Sequence, residues 1–105
     1  MYRSGGVYCI MKKVIINADD FGLNQSCTKA ICEAFDKNLI TDTTLVANGE
    51  AFDYAVKEIN ERLLNNKIGI HINLTEGVPL TEAIKECSEF VTNGIFHGKI
   101  LRFKP

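Results

Sequence analysis

No stretch of the 105-residue sequence is apolar over the roughly 20 residues that a membrane-spanning helix needs. The N-terminal residues around Arg3 also lack the sustained apolar segment of a secretory signal. Neither sign of charge is in excess, since 12 Lys and Arg face 13 Asp and Glu for a formal net charge of −1. Such a balance gives no polycationic surface, so neither nucleic acid nor a membrane is expected as a partner. Four cysteines, Cys9, Cys27, Cys32 and Cys87, form no C-x-x-C pair and no finger-like spacing with His71 or His97. Free thiols in a reducing cytosol, and hence a cytoplasmic location, are the expectation. Repeats, linkers and low-complexity segments are lacking too. What remains is an ordinary globular composition, 46% hydrophobic, sufficient for one small domain with a modest core.

The hydrophobic pattern alternates strand, helix, strand, helix, strand. A first strand is expected over 13–18 and a helix over 25–37. The helix places Cys27, Ala30, Ile31, Ala34 and Phe35 on one stripe; Asn24 or Ser26 caps it and Asn38 ends it. The β-branched run Thr43, Thr44, Val46 predicts a second strand over 42–47, broken by Asn48-Gly49. A second helix follows over 50–64, with Phe52, Ala55, Val56, Ile59 and Leu63 inward. A third strand over 67–74 alternates strictly: Ile68, Ile70, Ile72 and Leu74 share one face, and Gly69, His71 and Asn73 the other. Residues 81–87 suggest a helical turn, and 90–96 a hairpin around Asn93-Gly94. Residues 1–10 show no strand or helix period and read as a poorly ordered upstream extension, with Met11 as the natural opening of the domain. A βαβαβ order implies parallel strands with right-handed crossovers, hence an α/β fold.

The run Asn17-Ala18-Asp19-Asp20-Phe21-Gly22 closes the first strand. Two adjacent carboxylates behind a buried strand are costly unless a cation or donors compensate them. Ligands of α/β folds bind beyond the carboxyl ends of the strands. There the first strand delivers Asn17, Asp19 and Asp20, the second Asn48, and the third His71, Asn73 and Thr75-Glu76-Gly77. A carboxylate with an imidazole suits Zn²⁺ or another divalent ion. Plainer roles are open for each residue: Asp19 and Asp20 can cap the helix, His71 can be a core histidine, and Asn48-Gly49 a simple turn.

At these residues the chain resembles the YdjC-like (ChbG-type) carbohydrate deacetylases. The matching stretches are 15–22, 43–49, 69–74 and 77–80, and the resemblance covers about 11–96. It implies the N-terminal βαβαβ portion of a (β/α) barrel-like fold related to polysaccharide deacetylases, with residues 11–105 an incomplete part of one domain. It further implies removal of acetyl groups from an N-acetylated oligosaccharide. Carried over, Asp20 and His71 are ligands of a divalent metal ion, Zn or Mg. Asp19 is the general base that takes a proton from the attacking water, and Asn48 and Asn73 are candidate substrate contacts. A third metal ligand and the general acid are expected in a His-rich stretch that this sequence does not contain.

Two other readings stand beside it: a non-catalytic fragment, and a different (β/α) metal hydrolase such as a phosphoesterase. An open three-strand sheet leaves an edge and core faces exposed, which leaves homo-oligomer formation open.

Overall fold

The computed structural model describes residues 2–4, 7–9 and 11–99. Three parallel strands, β3 (Asn17–Phe21), β4 (Asp42–Val46) and β5 (Ile68–His71), form one sheet in that order. Helix α1 (Gln25–Asp36) connects the first pair and α2 (Phe52–Arg62) the second. The expected βαβαβ unit is therefore present, and the chain is an α/β protein. Ahead of it, β1 (Tyr2–Ser4) pairs antiparallel with β2 (Val7–Cys9), which corrects the reading of residues 1–10 as lacking strand character. Beyond the sheet lie a short helix α3 (Glu82–Lys85) and a hairpin, β6 (Val91–Thr92) with β7 (Ile95–Phe96).

The core lies between the sheet and the two helices. Phe21, Ile31, Cys32, Phe35, Ala55, Ile59 and Leu64 are buried together, with Ala18, Leu45 and Ile68 packed against them. On α1 the buried stripe is Thr28, Ile31, Cys32 and Phe35, so Cys27 and Ala30 are replaced by their neighbours on the helix. The expected capping holds: Asn24 Oδ1 accepts from the Cys27 amide at 2.9 Å, and Asn38 closes the helix with φ 55°. On α2, Leu63 takes φ 56° and turns out to solvent, and Leu64 enters the core in its place. That left-handed residue ends the helix before the asparagines the sequence pointed to.

Between the helices Arg62 holds both carboxylates of Asp36 and Glu58. Its Nε and Nη2 each donate to Asp36 at 3.1 Å, and Nη1 donates to the buried Glu58. The Arg62 hydrogen bond holds the Asp36 carboxyl below its usual range. Burial pushes the neighbouring Cys32 thiol up.

Two expectations about the sheet are corrected. The first strand begins at Asn17 rather than residue 13, and Val14, Ile15 and Ile16 are exposed. Parallel pairing with β4 starts at Asn17 with Asp42, and before that Ile16 is held only by the amides of Thr41 and Asp42 and the Thr41 hydroxyl. The third strand ends at His71, and its apolar row does not lie in the core beyond Ile68. Ile70 is 83% and Ile72 81% exposed, because nothing among the described residues covers that end of the edge strand.

Candidate functional site

The decisive local feature is an irregularity in β3. Ala18 pairs with Thr43 and Phe21 with Leu45, so three steps on β3 match two on β4. Asp19 and Asp20 together therefore oppose Thr44, a β-bulge of one extra residue. The backbone accommodates it at Asp20, which has φ 71°, a region that costs a non-glycine residue roughly 1–2 kcal/mol. Ala18 and Phe21 remain in the core on either side, and both carboxylates are left at the carboxyl end of the sheet. Neither is buried: Asp19 is exposed and the Asp20 side chain is 50% exposed. The premise that the pair is expensive because buried is thus corrected.

The bulge aims Asp20 across the sheet at His71, which β5 carries opposite Val46. Asp20 Oδ1 is 3.6 Å from His71 Nδ1, and the Asp20 amide donates to the same nitrogen at 3.3 Å. Asp19 turns toward Thr44 and Asn17: its Oδ1 accepts from Asn17 Nδ2 at 2.8 Å and from the Thr44 hydroxyl at 3.3 Å. Thr44 Oγ1 also stands 3.3 Å from His71 Nδ1. Asp19, Asp20 and His71 therefore come together as the sequence suggested. Thr44, read there only as a strand former, is the residue between them. Its signal was the alternation of β4, which buries Thr43 and so must turn Thr44 to the opposite face.

Asn48 and Asn73 meet each other. Asn73 Nδ2 donates to Asn48 Oδ1 at 2.9 Å, and Asn48 Nδ2 donates to the carbonyls of Glu76 and Val78 at 2.9 and 3.2 Å. Asn73 Oδ1 accepts from the amides of Thr75 and Glu76, both at 3.1 Å. The two amides thus fasten the loop after β5 to the end of β4. A small hollow bordered by Asp20, Val46, His71, Asn73, Thr75 and Glu76 lies over the site. His97 stands apart, with its ring on the Ser88 carbonyl.

The loops beneath are close-packed. The Gly22 carbonyl accepts from Ala51 and the Leu23 carbonyl from Glu50, both at 3.0 Å. A Cβ on Gly49 would sit 2.0 Å from the Gly22 oxygen, so only glycine fits there. The Thr28 hydroxyl accepts from the Gly22 amide at 3.1 Å and donates to the Asn24 carbonyl, pinning the segment after the carboxylates.

A carboxylate and an imidazole brought side by side are donor types that suit a divalent ion. Asp20 and His71 are the residues that would hold it. Among the described residues no group of three or more His, Cys, Asp or Glu is placed to hold a metal ion. Among the same residues no helix is long and apolar enough to cross a membrane.

The fold and site together define an α/β protein with a carboxylate–imidazole pair at the carboxyl end of a parallel sheet. The family described as YdjC-like protein matches residues 13–104, and the chain belongs to that family. It is 39% identical over 77 residues to a carbohydrate deacetylase of Listeria welshimeri, covering 73% of this chain and 31% of that protein. It is 35% identical over 91 residues to a carbohydrate deacetylase of Clostridium beijerinckii, covering 85% and 36%. It is 42% identical over 69 residues to a chitooligosaccharide deacetylase of Salmonella paratyphi B, covering 66% and 27%. The chain spans about a third of the length of these curated relatives. No solved structure matches.

Proposed function

We propose that this chain supplies the base and two metal ligands of a carbohydrate deacetylase that removes acetyl groups from N-acetylated sugars of the chitooligosaccharide type. The observation that carries the reading is the approach of Asp20 Oδ1 to His71 Nδ1 at 3.6 Å, with Asp19 beside it on the same bulge. Family membership and the names of the relatives support the same chemistry. Asp20 and His71 hold a divalent ion, Zn or Mg, with further ligands and the general acid contributed by parts of the domain that these 105 residues do not include. When bound, such an ion supplies Lewis-acid chemistry that polarises the acetamide carbonyl. Asp19 accepts a proton from the attacking water. Asn48 and Asn73 shape the rim on which the sugar rests by holding the loop over 73–78.

The test is zinc titration calorimetry on the purified chain and its Asp20→Asn and His71→Ala variants, with acetate release from N-acetylglucosamine oligomers followed in parallel. Weak zinc binding by the wild type and none by either variant is expected. Equal zinc binding in all three would sink the assignment.

A second reading, that the chain alone is not catalytic, is favoured by the two-residue ligand set among the described residues. Catalytic zinc sites ordinarily have three protein ligands. Acetate release by the purified 105-residue chain overturns it.

A further inference from the structure

Thr44 has one hydroxyl proton and two acceptors at equal distance, Asp19 Oδ1 and His71 Nδ1, each at 3.3 Å. The imidazole nitrogen already accepts from the Asp20 amide at 3.3 Å. A neutral Nδ1 has a single lone pair, whereas a carboxylate oxygen has room for more than one donor. Hydrogen bonds to an ionised acceptor are also about twice as strong as neutral ones. The Thr44 proton therefore goes to Asp19. Asn17 Nδ2 donates to the same oxygen at 2.8 Å. Two donors thus converge on Oδ1, and no hydrogen bond among the described residues reaches Oδ2.

We infer that Thr44 and Asn17 are positioning residues that clamp Asp19 by Oδ1 and so select Oδ2 as the oxygen presented to the reacting water. The inference deepens the deacetylase reading, on which the word reacting rests. The clamp itself rests on geometry alone. Without it the Asp19 carboxylate, exposed at the sheet end, rotates freely and offers either oxygen in many directions. With it the working oxygen has one direction, fixed by β3 on one side and β4 on the other. The two donors come from different strands, so neither strand alone sets the orientation.

The experiment separates clamp from chemistry. Thr44→Val keeps the shape and removes the hydroxyl; Thr44→Ser keeps the hydroxyl. On the 105-residue chain, NMR of ¹³C-labelled aspartate reads the Asp19 carboxyl carbon, and solvent exchange reads the Asn17 side-chain amide. Thr44→Val is expected to shift the Asp19 carbon and to speed Asn17 amide exchange about fivefold, the factor one ordinary hydrogen bond contributes. Thr44→Ser is expected to restore both, at unchanged circular dichroism. An unmoved Asp19 carbon and Asn17 exchange in Thr44→Val overturn the clamp, and so does a Thr44→Ser spectrum that matches Thr44→Val. Acetate release is measured on a family deacetylase of full length carrying the same substitutions at the matching positions: a clamp makes Thr44→Val lower kcat with KM kept. If the NMR arms hold while Asp19→Asn retains full turnover, the clamp stands and the role of Asp19 as base falls.

Discussion

The Oδ1 atom of Asp20 lies 3.6 Å from Nδ1 of His71, although 51 residues separate them in sequence. Two parallel crossovers bring them together, and a single bulged residue on β3 completes the approach. Asp20 holds φ 71° to do so. Asp20→Gly relaxes that strain, roughly 1–2 kcal/mol, and gives back roughly 0.5–1 kcal/mol in chain entropy. The expected outcome is a protein within about 1 kcal/mol of wild-type stability that no longer binds zinc. Urea denaturation alongside calorimetry checks both halves, and a large loss of stability would show that the Asp20 side chain holds the fold.

Gly49 predicts the opposite pattern. Gly49→Ala drives a methyl group to 2.0 Å from the Gly22 carbonyl oxygen, an overlap that only backbone movement relieves. Overpacking of this kind costs about 1–3 kcal/mol, and here backbone rather than a flexible side chain must yield. The urea midpoint should fall, and zinc binding should weaken with it because Gly22 follows the bulge.

Acid should loosen the contact between α1 and α2. The folded Asp36 carboxyl lies below its ordinary value of 3.8, chiefly through the Arg62 hydrogen bond. A depressed carboxyl stabilises the fold above its unfolded value and loses that contribution as pH falls through the lower folded one. Urea midpoints should therefore drop as pH is taken below 3.8. In Asp36→Asn this part of the drop should vanish, with the neutral-pH midpoint slightly lower than wild type.

Asn48 should act on the loop rather than on the core. Asn48→Ala removes the donor to the Glu76 and Val78 carbonyls and the acceptor for Asn73. Amide exchange at Thr75 and Glu76 should rise several-fold, while amides of α1 and β4 keep their protection. Uniformly faster exchange across the whole chain would instead mark Asn48 as part of the global fold.

Much of this architecture is legible in the sequence. The order of strands and helices, the Asn24 cap and the convergence of Asp19, Asp20 and His71 follow from periodicity and from the rule that sites gather at strand ends. Other features escape it, for physical reasons. The bulge is a tertiary choice: nothing in Ala-Asp-Asp-Phe says that both flanking residues enter the core, and only the pairing with β4 decides it. Leu63 and Leu64 are chemically alike, so the left-handed turn, not hydropathy, selects which is buried. The third strand is shorter than the alternation over 67–74 suggests, because β5 is an edge strand whose pairing with β4 ends at His71. Thr44 was hidden in a different way, as a β-branched residue whose strand propensity masks its hydroxyl.

The bulge also bears on why two acids stand here at all. Delete Asp20, and Ala18, Asp19 and Phe21 alternate regularly, with Ala18 still meeting Thr43 and Phe21 still meeting Leu45. The sheet has no use for the extra residue, and the backbone is more comfortable without it.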